Sequence, residues 1–462
     1  MSEIDVQKLA DEAELNRFHY LAIAWVMAIA MLDGYDIGVT GAAMPAIMAD
    51  LKIDATVGGA IASVSLVGMA IGSTLFGVMA DRFGRKISVA LAVAMFSLFT
   101  AAAGLVTSPV AFGALRFSAG LGLGGVIPIL IAIATEYGPI KYRARIISLA
   151  GCGYAVGGIV VALIGKGLIE SYGWQAIFLV AGVPVILVPL LLKSIPESLP
   201  VLVKQNRDAE LREMVRRIAP DYPLRAEQRF VRPPEVEVKA APIAQVFQEG
   251  RALSTLMFWV TNFSCLFMLY GLNTWLTKLM VELGYNLSSA LTFVIAYNLG
   301  AMIGAFGGCW LLDKLHPKWV LVSFYVLSAA SLVAMGFGVA SSLTLVIVFT
   351  LGAVTLGTQI LTNAYGGMFY PTAIRSTAIG LNFSAGRVGS IIAPVLIGWL
   401  VALSLPPRQA FDAIAVAGLI GAIAVAAINH EVSASRASDG AGVLRGRAAR
   451  ARGRPGEGDG AG

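Results

Sequence analysis

Charge is what this sequence is short of. Only 13% of its 462 residues are Asp, Glu, Lys or Arg, about half the ~25% of an ordinary soluble domain. With 57% hydrophobic residues and a mean hydropathy of +0.77, the chain reads as a polytopic membrane protein. Histidine is also scarce. His19, His316 and His430 all sit at span ends or in loops, which leaves none for a proton relay within the membrane. The three cysteines, Cys152, Cys265 and Cys309, lie in apolar segments without a CxxC partner, so packing thiols are expected rather than disulfides or metal ligands. HExxH and G-x-x-x-x-G-K-[ST] are both missing, which argues against a zinc hydrolase and against direct drive by ATP. No cofactor, metal or catalytic role is expected.

What is present is a series of apolar runs near the ~20 residues that cross a bilayer as a helix. Twelve are expected, at approximately 20–45, 58–80, 87–107, 110–135, 146–169, 174–193, 252–277, 288–312, 319–339, 342–368, 377–402 and 410–428. Charged residues between 3 and 17 precede a first span too long for a signal-peptide h-region, so no cleavable signal is expected. The net charge of +6 could point to nucleic acid until the basic residues are placed. Only Lys52, Lys166, Lys278 and Arg408 fall in odd-numbered loops, and only Arg116 and Arg387 within spans; the other 28 of 34 lie in the N-terminus, the even-numbered loops and the C-terminus. That asymmetry puts both termini in the cytoplasm of a bacterial inner membrane, and the basicity is topological. No nucleic-acid partner is implied; membrane lipid is the implied surroundings.

The long polar stretch divides the spans six and six. The expected organisation is a cytoplasmic N-terminus (1–19), a first six-helix half (20–194), a cytoplasmic linker (195–251), a second half (252–428) and a low-complexity, disordered cytoplasmic tail (429–462). Residues 204–218 are expected to form a short surface helix. A shift of 232 residues lays Asp81 on Asp313, Lys86 on Lys318, Pro139 on Pro371 and Arg143 on Arg375. The fold expected is therefore all-α, with twelve transmembrane helices in two six-helix pseudo-repeats. Parallel repeats of this kind place a substrate at mid-membrane between halves that rock around it.

Carboxylates at bilayer depth cost roughly 2.5–3.5 kcal/mol each on insertion scales and mark proton, ion or substrate paths. The first span holds two, Asp33 and Asp36, at an i, i+3 spacing that puts them on one helical face. Arg116 enters the fourth span in RFSAGLGLGG, and Arg387 lies within the eleventh in NFSAGRVGS. The loop GVMADRFGRK (77–86) sets Asp81, Arg82, Arg85 and Lys86 between two apolar runs. In it Gly77 permits a close helix approach and Gly84 a tight turn. The loops YGPIKYRAR and YPTAIRSTAIG carry Arg143 and Arg375, with Glu136 as an internal partner for those arginines; PES (196–198) ends the sixth span. Polar and aromatic residues available to a ligand include Tyr270, Asn273, Trp275, Tyr297, Asn298, Gln359, Asn363 and Tyr365.

The 77–86 loop closely resembles the signature loop of the major facilitator superfamily, and RFSAGLGLGG resembles that family's fourth-span motif, whose arginine is linked to proton transfer. The second-half counterpart DKLHPK (313–318) departs from the pattern, with Cys309 at the glycine position and His316-Pro317 replacing Gly-Arg. Gating is therefore expected to lean on the first half. Asp-Gly-Tyr-Asp at 33–36, followed by GVTGAAMPAI, resembles the aromatic acid:proton symporter family, whose members take up benzoate and hydroxybenzoates. The resemblance covers the twelve-span body and both loop motifs.

It implies a proton-coupled symporter with an aromatic carboxylate and protons as co-transported partners. Asp33, Asp36 and Arg116 would then serve coupling, and Arg387, Asp33, Tyr270, Trp275, Asn298 and Asn363 the substrate. Gly77, Asp81, Arg82, Gly84, Arg85, Lys86, Glu136, Arg143, Asp313 and Arg375 would serve the gate. Either Arg116 or Arg387 could meet the carboxylate, since a guanidinium binds it at two points. A sugar or organic-ion carrier of the same superfamily is the nearest alternative and a channel a remote one.

Overall fold

The computed structural model describes residues 3–220, 222–224, 229–231, 243–337 and 340–434. The expected disordered tail from 435 onward, parts of the linker, and the side chains of Asp313 and Cys309 lie outside the described residues.

A short arm helix α1 (Val6–Glu12) precedes α2 (Arg17–Asp50), α3 (Ala55–Phe83), α4 (Arg85–Ala103), α5 (Pro109–Tyr137) and α6 (Ile140–Tyr172). The sixth crossing is interrupted: α7 (Gln175–Val180), a 3-10 turn (Val183–Leu187) and α8 (Val188–Ser194) follow one another, with Pro184 and Pro189 preventing a continuous hydrogen-bond ladder. Two surface helices, α9 (Leu199–Lys204) and α10 (Asp208–Ile218), lead to the second half. That half comprises α11 (Ala252–Glu282), α12 (Leu287–Lys314), α13 (Pro317–Met335), α14 (Ser341–Phe369), α15 (Thr372–Ala402) and α16 (Pro407–Ala427). Among the described residues, twelve helical segments are long and apolar enough to cross a membrane. The protein is a multi-pass, all-helical membrane protein. A parallel pair of three-residue strands, β1 (Glu3–Asp5) and β2 (Arg229–Val231), lies outside the spans.

Local signals explain how the first half starts. Asn16 caps α2 by accepting from the Phe18 and His19 amides, and His19 Nδ1 accepts from the Asn16 amide in return. The Asn16 side-chain amide also donates to the carbonyls of Arg217 and Ile218, closing the C-terminus of α10. Acidic residues in the first turn and arginines in the last complement the dipole of α10. Its apolar stripe, Leu211, Val215 and Ile218, is buried in the same cluster as Val6 and Ala10. The expected surface helix therefore forms, and it docks with the N-terminal arm against the foot of the first half.

The halves meet along three helix pairs, α2 with α11, α3 with α15 and α6 with α12. Backbones touch where glycine replaces a side chain. A Cβ on Gly41 would stand 1.9 Å from the Asn273 carbonyl oxygen, and one on Gly59 would stand 2.3 Å from that of Pro394. The Ser63 hydroxyl donates to the Ile391 carbonyl, and Lys166 Nζ donates to Thr292 Oγ1. These contacts lie toward the membrane face opposite the N-terminus. On the N-terminal side, a Cβ at Gly77, Gly151 or Gly380 would meet nothing within 4 Å among the described residues.

Candidate central site and gate

Gly34 brings the site together. A Cβ there would sit 2.0 Å from the Tyr154 carbonyl oxygen, so only glycine lets α2 and α6 cross at this depth. Its neighbours Asp33 and Asp36, each 1% exposed, differ in their partners. Arg116 of α5 donates from Nη1 to Asp36 Oδ1 at 2.7 Å and to Thr100 Oγ1 at 2.8 Å, while Nη2 donates to the Asp36 carbonyl. Asp36 is thus held inside the first half. Neither oxygen of Asp33 has a hydrogen-bond partner among the described residues.

Across the seam, Arg387 of α15 lies close enough to Asp33 and Tyr270 to interact with both. Tyr154 of α6 completes the group; Asn273 of α11 donates to its hydroxyl at 3.4 Å. The site is the Asp33 carboxyl group facing Arg387 across the join, flanked by two tyrosines, with a second carboxylate, held through one oxygen by Arg116, one turn away. On the side away from the N-terminus, the space between the halves shrinks to a cavity of about 30 Å3 beside Thr40, Arg116 and Tyr270.

The sequence model of the Major Facilitator Superfamily matches residues 26–311 and 292–450. The chain belongs to this superfamily. It is a transporter rather than an enzyme. It is 38% identical over 433 residues to the benzoate transport protein of Acinetobacter baylyi, covering 92% of this chain and 93% of that one. Its identity to the 4-hydroxybenzoate transporter PcaK of the same organism is 30%, covering 92% and 93%. The resemblance carried by Asp33, Asp36 and the loop motifs is borne out. The crystal structure of a D-xylose-proton symporter shares the fold, with a TM-score of 0.69 at 16% identity over 89% of this chain and 97% of that one.

Several other expected residues stand elsewhere. Trp275 is fully buried and donates its indole N–H to the Pro394 carbonyl at 2.9 Å, bracing α11 against α15 rather than facing a ligand. Asn298 donates to the Val294 carbonyl of its own helix and packs on Gly158 of the first half, which makes it a seam residue. Asn363 is half-buried in α14, and its Oδ1 has no hydrogen-bond partner among the described residues. Tyr154 and Thr100 were missed. A tyrosine inside the small-residue run GCGYAVGG was the available signal for the first; nothing marked the second.

The superfamily's signature loop takes its expected turn. Gly84 adopts φ +99°, and a Cβ there would meet Glu197 Oε1 at 2.1 Å, tying the loop to the PES segment. Arg85 bridges Asp81 (2.7 Å) and Glu136 (3.1 Å). Glu136, expected as an internal partner for Arg143 and Arg375, pairs with Arg85. Arg143 instead pairs with Asp11 of α1. Its Nη2 also donates to the Gly138 carbonyl, and Arg375 Nε donates to that of Tyr370. Gly138 and Tyr370 differ by the same 232 residues as the two arginines, so the repeat extends to a hydrogen bond, and each bond stays within its own half. Arg82 stacks over Phe83, and neither Arg82 nor Lys86 is ion-paired among the described residues. Gly77 makes no close helix approach here, contrary to the expectation from sequence.

Proposed function

We propose that the protein imports an aromatic carboxylate, benzoate or a hydroxybenzoate, together with protons, by alternating access. The observation that carries the reading is the unpaired Asp33 opposite Arg387, beside the Asp36–Arg116 pair. Arg387 receives the substrate carboxylate through its planar fork, and Tyr270 and Tyr154 offer ring faces and hydroxyls to the aromatic body. Binding the anion occupies the cation that faces Asp33, and burying an unpaired charge is costly; Asp33 is then the group on which a proton travels. Carrying an anion into an inside-negative cell costs about 2.3 kcal/mol per 100 mV; one proton cancels that charge and further protons drive accumulation.

The N-terminal face is assigned to the cytoplasm, in line with the distribution of Lys and Arg. The halves closed at the other face then describe a carrier open inward, with the Asp81–Arg85–Glu136 cluster not engaged across the halves. The relatives named for benzoate and 4-hydroxybenzoate support the cargo class. The test is uptake of labelled benzoate by the protein reconstituted in liposomes with an imposed pH gradient. Accumulation should collapse on adding an uncoupler, and 4-hydroxybenzoate should compete whereas uncharged benzamide should not. Hexose uptake indifferent to excess benzoate would overturn the cargo assignment and favour a sugar carrier.

A further inference from the structure

Arg387 and Tyr270 face each other from α15 and α11, and these two helices are held in register on either side of that contact. Nearer the start of α11, Asn262 Nδ2 donates to the Asn382 carbonyl of α15 at 2.7 Å. Nearer its end, Trp275 Nε1 donates to the Pro394 carbonyl at 2.9 Å. Asn262 and Trp275 are both fully buried, so water does not compete for the two donors. Tyr270 lies between the donors along α11, and Arg387 lies between the acceptors along α15.

α15 needs support at this point. Pro394 carries no N–H, which leaves the Ser390 carbonyl without its donor in the helix ladder. The Ser390 hydroxyl turns back to the Arg387 carbonyl at 2.7 Å, a kind of bond that bends helices. The stretch from Arg387 to Pro394 is therefore soft, and it carries the guanidinium. The two donors have no counterpart in the first half. The 232-residue offset lays Asn262 on Ala30 and Trp275 on Ala43, whose side chains have nothing to donate. The clamp belongs to the half that holds Arg387.

We propose that Asn262 and Trp275 are positioning residues that hold Arg387 in place against Tyr270 and so set the affinity for the substrate carboxylate. Both side chains are turned to α15 carbonyls and act through that helix. Both bonds join helices of one half, so they persist while the halves rock, unlike the Ser63–Ile391 bond across the join. The inference rests on the reading of Arg387 as the carboxylate's partner.

Uptake of labelled benzoate by right-side-out and by inverted membrane vesicles tests it. Trp275→Phe keeps an aromatic ring and loses the donor; Asn262→Leu keeps the branching at Cγ and loses it likewise. Each should raise KM about fivefold in both orientations, the equivalent of one net hydrogen bond, and change the maximal rate less than about twofold. Pro394→Ala returns an N–H to the Ser390 carbonyl, so Trp275→Phe/Pro394→Ala should come back to within about twofold of the wild-type KM. Unchanged KM in both single variants would overturn the proposal. KM values shifted in opposite directions in the two orientations would overturn it too, since that is the behaviour of a gate. So would a double variant no better than Trp275→Phe, which would reduce Trp275 to core packing.

The register can be read without transport. A Cβ on Gly271 would stand 3.7 Å from that of Ala393, a separation that suits a disulfide. With Cys152, Cys265 and Cys309 replaced by alanine, Gly271→Cys/Ala393→Cys should cross-link on mild oxidation. The rate should fall about fivefold after Trp275→Phe and recover once Pro394→Ala is added. A rate indifferent to Trp275→Phe would overturn the clamp. A protein that cross-links as expected yet takes up no benzoate would refute the transport reading and leave the clamp standing.

Discussion

Asp36→Asn and Asp33→Asn, one turn apart, should have unequal effects on stability while both abolish coupled uptake. Asp36 and Arg116 form a 2.7 Å ion pair with side chains 1% and 3% exposed. Removing one member strands a buried charge, at a cost of roughly 3–5 kcal/mol; Asn can still accept one hydrogen bond, which places Asp36→Asn near 3 kcal/mol. The melting temperature in detergent should fall by about 3 °C. Asp33 accepts no hydrogen bond among the described residues and faces only the part-exposed Arg387, so Asp33→Asn should leave Tm nearly unchanged.

The double variant Asp36→Asn/Arg116→Met replaces the pair by neutral groups and should recover most of the loss, giving a coupling of about 2–3 kcal/mol in the thermodynamic cycle. Thermal unfolding of the four proteins supplies the cycle, and proteoliposome uptake supplies the activity. Additive effects, or equal destabilisation by Asp33→Asn and Asp36→Asn, would refute the division between a paired and an unpaired carboxylate. Accumulation of benzoate against its gradient by either single variant would refute their place in coupling.

Arg387→Lys keeps the charge but loses the two-point fork, so the apparent affinity for benzoate should fall at least tenfold in competition assays, with expression unchanged. Gly41→Ala places a methyl 1.9 Å from the Asn273 carbonyl oxygen; it should slow uptake and make a cysteine placed at Ser63 reactive to an external thiol reagent, whereas the same cysteine beside Gly41 should be protected. Asp81→Asn removes one partner of Arg85 and should slow transport while leaving benzoate binding intact. Asp313→Asn should do less, and equal slowing would show that the two loops gate alike.

The twelve crossings were legible because a hydrocarbon core demands about 20 apolar residues, a constraint that survives without any knowledge of packing. The repeat was legible because charged and proline residues in loops are few enough for one offset to stand out. Asp33, Asp36, Arg116 and Arg387 were legible as a set because buried charge is rare. Their pairing was not: an i, i+3 spacing puts two carboxylates on one face but does not say which arginine reaches which. Trp275 misled for a related reason. Sequence gives an aromatic residue no direction, and in α11 the indole is turned toward the Pro394 carbonyl. The break in the sixth crossing was written in Pro184 and Pro189, yet the run 174–193 is apolar enough to pass as one uninterrupted helix.

The docking of α10 has a consequence for how the chain is joined. The linker is anchored to the first half by Leu211, Val215 and Ile218, and the chain next enters the second half's core at Val246. The first half also holds Phe230 and pairs β2 with β1, so 14 residues, 232–245, at ~3.3 Å each and about 46 Å in all connect the two anchors. What aligns the halves is then the fit of α2 on α11, α3 on α15 and α6 on α12. A chain severed between Val231 and Val246 would still present both faces of that fit, and two co-expressed fragments should assemble into a working carrier.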